Sequence, residues 1–294
     1  MGSMIRKGTG LPLGPPATSD IDLLGWVYPD GFDWDRDSKG RLQELFWPMA
    51  VVAALYVPVI VVGLERWMRH REPYRLKAAL VCWNLGLALF SFLGAIHTVP
   101  QLWKSLTTYG WDTTVCDRRL YYTATGYWVF WFDLSKSVEF VDTVFLRLRK
   151  RPVILLHWYH HICTMTYCWY GNLNIGAADG SGFFFTAMNL AVHSVMYSYY
   201  ALASAGLHKP LQALGADMAI TVLQLSQMVA GVVVLLASEG CPSYNVISWW
   251  WGLAMYASYL VLFAHLFWSK YFSAEAVAAA KEVQYKCALG LVSL

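Results

Sequence analysis

The chain has 294 residues, of which 57% are hydrophobic, 16% aromatic and only 14% charged, and its formal net charge is +3. This composition excludes an ordinary soluble enzyme of this size, and so small a positive excess gives no reason to expect nucleic-acid binding. The class that fits best is a polytopic membrane protein.

Seven stretches are apolar and long enough to cross a bilayer, whose hydrocarbon core needs roughly 20 helical residues per span. Residues 1–45 are predicted to form a polar arm and residues 271–294 a tail outside the bilayer. Short connectors without a repeat or a flexible linker predict one all-α membrane domain over 46–270, with seven transmembrane helices. The predicted spans lie near 46–63, 78–96, 120–146, 153–170, 183–204, 211–236 and 245–268.

The basic residues predict the orientation of these spans, because cytoplasmic loops carry an excess of Lys and Arg. Segments 66–77 and 147–151, after the first and third spans, hold five and four basic residues, whereas GNLNIGAADGSG and SEGCPSY hold none. The N-terminus is therefore expected in the lumen and the C-terminus in the cytosol. Cys116 and Cys241 fall on two lumenal loops, where an oxidising compartment favours a disulfide between them.

The third span contains KSVEFVDT, with Lys136, Glu139 and Asp142 at intervals of three residues. Three residues advance a helix by roughly 300°, so successive side chains are offset by about 60° and the three share a stripe on one side of the helix. The stripe is either an internal salt-bridge ladder near the cytosolic end or a substrate contact, and one set of residues can serve both purposes.

The fourth span contains LHWYHH, which places His157, His160 and His161 on one helical face. Ionisable groups at membrane depth are costly and mark functional sites by default. Three imidazoles together are hard to explain as packing, so a reaction centre is predicted here.

The fifth and sixth spans also present polar faces where apolar ones are expected. Asn189 and His193 are assigned to the site, whereas Gln224 is expected to form an interhelical hydrogen bond. The polar faces consist of Asn189, His193, Met196, Tyr197 and Tyr200 in the fifth span, and of Thr221, Gln224 and Gln227 in the sixth.

Histidine clusters first suggest a metal, and HxxHH is similar to one box of membrane di-iron desaturases and hydroxylases. Those enzymes use about eight ligand histidines over several boxes, whereas this chain has eight histidines in all and no second box. Without a metal, imidazole acts as a nucleophile or as a general acid and base, and both uses suit a thioester. A desaturase and a non-enzymatic seven-helix receptor or transporter are the remaining alternatives.

KSVEFVDT, LHWYHH, MNLAVHSVMYSYYA and TVLQLSQ, in this order on successive spans, resemble the signature boxes of the ELO family of fatty acid elongases. The resemblance covers about residues 45–270. The HWYHH and MYSYYA forms are similar to the branch that elongates saturated and monounsaturated acyl chains.

The resemblance implies a 3-ketoacyl-CoA synthase of the endoplasmic reticulum, which condenses long-chain acyl-CoA with malonyl-CoA and releases CO2 and CoA without a metal or other cofactor. Six helices would surround a closed acyl tunnel that sets product length, with chains of medium to long length preferred. His160 would be the acylated nucleophile, His193 the residue that acts on malonyl-CoA, and His157 and His161 the other catalytic histidines.

The remaining expectations also follow from the resemblance. Arg149 and Lys150 would attract CoA phosphates at the cytosolic mouth, and a homodimer and the reductase and dehydratase of the elongation cycle are expected partners in the membrane. Independently of the resemblance, which rests on histidine, the position of Cys163 three residues after His160 makes a thiol nucleophile with a histidine base geometrically possible. The expected substrate-binding set is Lys136, Glu139, Asp142, Arg149, Lys150, Asn189, Tyr197, Tyr200 and Gln227.

Overall fold

The computed structural model describes residues 37–38, 40–122, 124–173, 180–241 and 245–273. All regular secondary structure in these ranges is helical, which confirms the predicted all-α class for this part of the chain. Most of the predicted polar arm (1–45) and nearly all of the predicted tail (271–294) lie outside the described residues.

Most described residues of each predicted span are helical, but the third span is interrupted at Glu139 and the sixth at Leu214 and Gly215. A π-helical segment, Tyr56–Gly63, joins the helices Phe46–Leu55 and Leu64–Met68, and a second one, Ala203–Leu207, follows the helix Ser181–Leu202. The α-helices are α1 (Gly40–Glu44), α2 (Phe46–Leu55), α3 (Leu64–Met68), α4 (Lys77–Tyr109), α5 (Trp111–Cys116), α6 (Ala124–Val138), α7 (Phe140–Leu148), α8 (Leu155–Leu173), α9 (Ser181–Leu202), α10 (His208–Ala213), α11 (Ala216–Ser238) and α12 (Val246–Tyr271).

Four helices among the described residues are long and apolar enough to cross a bilayer: Phe46–Met68, Lys77–Tyr109, Ala216–Ser238 and Val246–Tyr271. The other three predicted spans carry the histidines and charges described above, which lower their hydropathy. The protein is therefore a multi-pass membrane protein, and the full seven-span topology stays a prediction.

The outer face of α4 illustrates how these helices suit lipid. Leu85, Leu89 and Phe92 recur at helical spacing and are 59%, 57% and 53% exposed, whereas Leu87 and Ser91 on the other side of the helix are buried. Exposing such a stripe to water would be unfavourable, but lipid tails are as apolar as leucine itself.

Six of the long helices pack in a cyclic order within the described residues. The order is α8, α6, α4, α9, α11 and α12, and α12 returns to contact α8. The first long helix, from α2 to α3, lies outside this ring against α6, α7 and α8. The polar faces of α6, α8, α9 and α11 thus have an enclosed interior to point into.

Cys116, the last residue of α5, and Cys241, just after α11, form the disulfide expected from the sequence, with their Cα atoms 5.2 Å apart. Nearby, the backbone N–H of Gly180 donates to the Val115 carbonyl at 2.7 Å. A Cβ atom at Gly180 would lie 2.2 Å from the Thr114 carbonyl oxygen, so only glycine permits this approach of α9 to α5.

Replacing both Cys116 and Cys241 by alanine is expected to destabilise the protein by about 2–4 kcal/mol, because the bridge closes a loop between positions separated by 125 residues. The thermal unfolding midpoint of the purified protein in detergent measures the change. Cys82→Ala, at an exposed free cysteine, is the matched control and should leave the midpoint unchanged. An unaltered midpoint in the double variant would contradict the prediction.

Candidate active site

The histidine box, His157, His160 and His161, occupies the first two turns of α8, which begins at Leu155. The ring centroids of His157 and His161 are 4.4 Å apart and those of His160 and His161 are 5.9 Å apart. All three rings line the larger of two cavities inside the helical ring. The predicted clustering of these side chains on one face therefore holds in three dimensions.

The two cavities meet at the histidine box. The larger has a volume of about 790 Å³ and extends along α7, α8, α9 and α11 to the basic segment after α7. The smaller, of about 100 Å³, continues between α8, α9, α11 and α12 toward Cys168 and Trp249. His160, Asn189, Gln227 and Met228 line both cavities. A molecule that occupied both would pass these four side chains.

His160 is the histidine at this junction. Tyr259 lies beside it, with ring centroids 4.7 Å apart, and donates its hydroxyl to the His160 carbonyl at 3.0 Å. The imidazole Nδ1 is buried and has no hydrogen-bond partner among the described residues. A buried polar atom without a partner is unusual and often has a catalytic role. His160 therefore offers an imidazole that is not engaged by the protein.

A chain of hydrogen bonds connects Lys136 to His193 through Asn189. The ammonium of Lys136 donates to Oδ1 of Asn189 at 3.0 Å, and Nδ2 of Asn189 lies 3.2 Å from Nε2 of His193. Because an ammonium only donates, the amide oxygen must face Lys136 and the amide N–H must face the imidazole. Nε2 of His193 then accepts, and the proton is on Nδ1, which lies 3.8 Å from Oε1 of Glu139.

Two of the three residues in the predicted salt-bridge ladder, Lys136 and Glu139, form an ion pair. Lys136 Nζ is 2.6 Å from Oε1 of Glu139, and both residues are buried. The ammonium also lies 4.2 Å from the centre of the Phe132 ring. Lys136 lines neither cavity, so its contact with the site runs through Asn189, whereas Glu139 lines the larger cavity directly.

Asp142, the third member of the stripe, has other partners. Trp83 Nε1 donates to its Oδ1 at 2.5 Å and Tyr197 OH donates to its Oδ2 at 2.8 Å. Both carboxylate oxygens are thus occupied, by α4 on one side and α9 on the other. Asp142 fixes the Tyr197 ring, which lines the larger cavity together with Tyr200.

The two glutamines of the sixth span have different surroundings. Gln224 donates its amide to the Met196 sulfur at 3.2 Å, an interhelical contact of the kind predicted for it, and it also lines the larger cavity. Gln227 is buried at the junction of the two cavities. It faces the same space as His160.

The basic segment after α7 is divided between the cavity and the surface. Arg149 lines the larger cavity, as does Arg151. Lys150, in contrast, is exposed, has a positive φ of 54° and donates to the Arg69 carbonyl at 3.2 Å. Arg151, and not the predicted Lys150, therefore accompanies Arg149 at the cavity. Lys150, with its positive φ, thus lies between two arginines that line the cavity, whereas its own side chain does not.

The structure adds residues that the motifs did not single out. Trp83 contacts the site through its hydrogen bond to Asp142, and His208 lines the larger cavity. Thr143 lies within KSVEFVDT and bonds His157 Nε2 at 2.9 Å. Its position one residue after Asp142 and four after Glu139 was a signal for it, whereas Trp83 and His208 gave none.

Two alternative chemistries were open in the sequence. Within the described ranges no group of three His, Cys, Asp or Glu side chains could hold a metal ion; elemental analysis of the purified protein tests the metal-free prediction. The Cys163 side chain lines neither cavity. A thiol outside both cavities is poorly placed to act as the nucleophile.

Residues 41–279 match the sequence profile of the GNS1/SUR4 (ELO) family. The chain belongs to the ELO family of fatty acid elongases. Very long chain fatty acid elongase 6 of Gallus gallus is 39% identical over 239 residues, which are 78% of this chain and 86% of the relative. Elongase 6 of Homo sapiens is 40% identical over 239 residues with the same coverage. Elongase 4 of Trypanosoma cruzi is 38% identical over 252 residues, 80% of this chain and 86% of the relative.

Membership in the ELO family confirms the resemblance drawn from the four motifs. It supports fatty acid elongation over the desaturase and the receptor or transporter that the span pattern left open. All four motifs contribute side chains to the larger cavity. KSVEFVDT contributes Glu139 and Asp142, LHWYHH contributes its three histidines, and the fifth and sixth spans contribute Asn189 and Gln227.

Proposed function

We propose that the protein is a 3-ketoacyl-CoA synthase of the endoplasmic reticulum membrane, which joins long-chain acyl-CoA to malonyl-CoA through an acyl-histidine intermediate. The observation that carries this proposal is the position of His160: its side chain lines both cavities, and its buried Nδ1 has no hydrogen-bond partner among the described residues. An acyl thioester whose CoA lies in the larger cavity and whose chain enters the smaller one would present its carbonyl carbon at this junction; at about 100 Å³ the smaller cavity must widen to hold a whole long chain.

In the first half-reaction an imidazole nitrogen of His160 attacks the thioester carbonyl. The new C–N bond forms, the C–S bond breaks, and CoA leaves with the proton that the imidazole gives up. A neutral acyl-imidazole remains, which is still reactive toward a carbon nucleophile. The departing CoA leaves the larger cavity free for malonyl-CoA.

In the second half-reaction malonyl-CoA loses CO2 and becomes an enolate. The enolate carbon attacks the acyl-imidazole, the C–N bond breaks, and His160 regains its proton from solvent. The sum is acyl-CoA, malonyl-CoA and one proton giving 3-ketoacyl-CoA, CO2 and CoA. His193, with Asn189 hydrogen-bonded to its Nε2, is the proposed partner for the malonyl group, because preorganised dipoles stabilise charge that develops there.

The ends of the substrate have matching surroundings. Arg149, Arg151 and His208 line the larger cavity, and we propose that they meet the phosphates of CoA at its mouth. Tyr197 and Tyr200 lie along the same wall. The orientation that the basic loops predict places this mouth in the cytosol. A homodimer, and proximity to the reductase and dehydratase of the cycle, are also proposed.

The experiment that tests the proposal uses the purified full chain with palmitoyl-CoA and labelled malonyl-CoA. A labelled 3-ketoacyl product longer by two carbons is expected, together with one CO2 and one free CoA per product. Absence of this product in a folded preparation, across acyl chains of different length, would refute the proposed activity.

The chain-length preference is expected to depend on Tyr256, which lines the smaller cavity and stacks near Phe185 with centroids 4.9 Å apart. A Cβ atom at Gly231 would lie 2.2 Å from the Tyr256 ring, so Gly231→Ala is expected to displace this ring and to narrow the space that it bounds. The ratio of activity on palmitoyl-CoA to activity on a shorter acyl-CoA is expected to fall about tenfold or more.

A panel of acyl-CoA substrates with a single labelled malonyl-CoA measures this ratio. Gly86→Ala is the matched control, because a Cβ atom there has no neighbour within 4 Å. The same preference in wild type and Gly231→Ala would show that the Tyr256 ring does not limit the chain.

A further inference from the structure

A chain of buried hydroxyl groups connects the first long helix to the histidine box. Tyr56 and Thr143 are both 0% exposed. The Tyr56 hydroxyl lies 2.7 Å from Oγ1 of Thr143, and the same Oγ1 lies 2.9 Å from Nε2 of His157. A residue of a helix outside the ring is thus two hydrogen bonds away from a catalytic histidine.

Tyr56 is exceptional in its helix. The other buried side chains between Phe46 and Met68 are the apolar Val61 and Met68. Tyr56 begins the π-helical segment that contains Pro58, and a proline cannot donate the regular helical hydrogen bond. Such π-helical insertions change which way a side chain points and are frequent at functional sites.

The ring of Tyr56 is already well anchored without its hydroxyl. It stacks on Phe140 with centroids 4.0 Å apart. Phenylalanine would keep that contact and would bury no polar atom. A buried hydroxyl needs a hydrogen-bond partner. The role of the Tyr56 hydroxyl must therefore lie in its contact with Thr143 and in the contact of Thr143 with His157.

Counting donors fixes the direction of the chain. Thr143 has one hydroxyl hydrogen and two neighbours, Tyr56 and His157. If His157 Nε2 carried a proton and donated to Thr143, either Thr143 or Tyr56 would bury a hydroxyl hydrogen without an acceptor among the described residues. If Tyr56 donates to Thr143 and Thr143 donates to Nε2, every hydrogen is used.

We propose that Tyr56 and Thr143 are positioning residues that hold His157 as the neutral tautomer with its proton on Nδ1. His157 then serves the reaction as an N–H donor, unlike the nucleophile His160 one turn away. Since Nε2 is occupied by Thr143 and the ring lines the larger cavity beside His161, Nδ1–H is the group left for a substrate.

The chemical target of this donor is an oxyanion that develops on a thioester oxygen, in the acyl-transfer step or in the enolate. A donor fixed before the reaction stabilises such charge without reorganisation. This assignment rests on the proposed condensation and adds to it the role of His157 and the two residues that define that role.

The test compares kcat and KM of full-length Tyr56→Phe and Thr143→Val, normalised to folded enzyme. Both variants are expected to lower kcat about tenfold, with the KM for either CoA substrate unchanged, because the lost interaction acts in the transition state. The double variant should be no slower than the slower single one, since both interrupt the same chain. Thr143→Ser, which keeps the hydroxyl, should restore kcat.

Matched controls remove the same groups elsewhere on the ring. Tyr159→Phe loses a hydroxyl that lies 3.0 Å from Ser258 Oγ, and Thr166→Val loses one that donates to the Ile162 carbonyl at 2.8 Å. Neither residue lines a cavity, and both controls should keep wild-type kcat.

Each outcome decides one question. Unchanged kcat in Tyr56→Phe and Thr143→Val overturns the positioning role, as does a loss that Thr143→Ser does not restore. A lower unfolding midpoint with wild-type kcat per folded molecule means a purely structural hydroxyl pair and also overturns it. Absence of elongation by wild type, in contrast, refutes the proposed function itself.

Discussion

His160→Ala is expected to abolish elongation, with kcat lowered by about 10³-fold or more, because it removes the proposed nucleophile and with it the proposed covalent route. The side chain lies at the junction of the two cavities, and no other described histidine lines both. The same variant should also lose the partial reaction in which labelled CoA exchanges into acyl-CoA without malonyl-CoA. That exchange requires an acyl-enzyme and therefore reports the first half-reaction alone.

The measurement combines product formation, CoA exchange and the mass of the enzyme after incubation with acyl-CoA. Wild type should gain the mass of one acyl group, located on the α8 peptide that contains His160, and His160→Ala should gain none. His265→Ala is the matched control, because this exposed histidine of α12 lines neither cavity. Both variants should show the wild-type unfolding midpoint.

One pattern of results would reverse the assignment. Activity that survives in His160→Ala and disappears in Cys163→Ala would make the thiol the nucleophile. The structure gives the opposite expectation, since the Cys163 side chain lines neither cavity and is three residues away on α8. Cys163→Ala is therefore expected to keep wild-type kcat.

The parts of the site that were predictable are those that periodicity encodes locally. The histidines at positions 157, 160 and 161 share a face because helical geometry places residues three and four apart together, and the structure keeps them together. The disulfide between Cys116 and Cys241 was predictable because topology placed both on one side of the membrane.

The sequence pattern could not predict contacts between segments that are far apart in the chain. The stripe of Lys136, Glu139 and Asp142 predicts three neighbours on one helix, yet the helix is interrupted at Glu139 and Asp142 binds Trp83 and Tyr197 instead. Which carboxylate meets which donor depends on how α4 and α9 pack, and sequence spacing carries no information about that.

The first long helix, Phe46–Met68, also makes a contact that the sequence pattern could not predict. Hydropathy identifies it as a span because nearly all of it is apolar, and a single tyrosine does not disturb that pattern. That Tyr56 is buried, and that its hydroxyl reaches Thr143, follows from the packing of this helix against α7. A lone polar residue in an apolar span becomes informative only when its partner is known.

Lys136→Met is expected to destabilise the protein by about 3–5 kcal/mol, because it leaves the buried carboxylate of Glu139 without its charge partner. Glu139 is 4% exposed, and Ser135 Oγ at 3.4 Å and the more distant His193 Nδ1 are the contacts that remain. The combination of Lys136→Met with Glu139→Gln removes both charges and should recover much of the lost stability. Unfolding midpoints of the two single variants and the double variant measure the coupling.

Recovered stability should not bring recovered activity. Without the Lys136 ammonium nothing dictates which end of the Asn189 amide faces His193, so Nε2 of His193 is no longer held as an acceptor. The double variant is therefore expected to be folded but slower than wild type by about tenfold or more. Lys270→Met with Asp217→Asn is the matched control: that pair, at 2.8 Å, has a lysine 43% exposed, and its removal should change stability by at most about 1 kcal/mol. A double variant that is both stable and fully active would mean that the buried pair serves the fold alone.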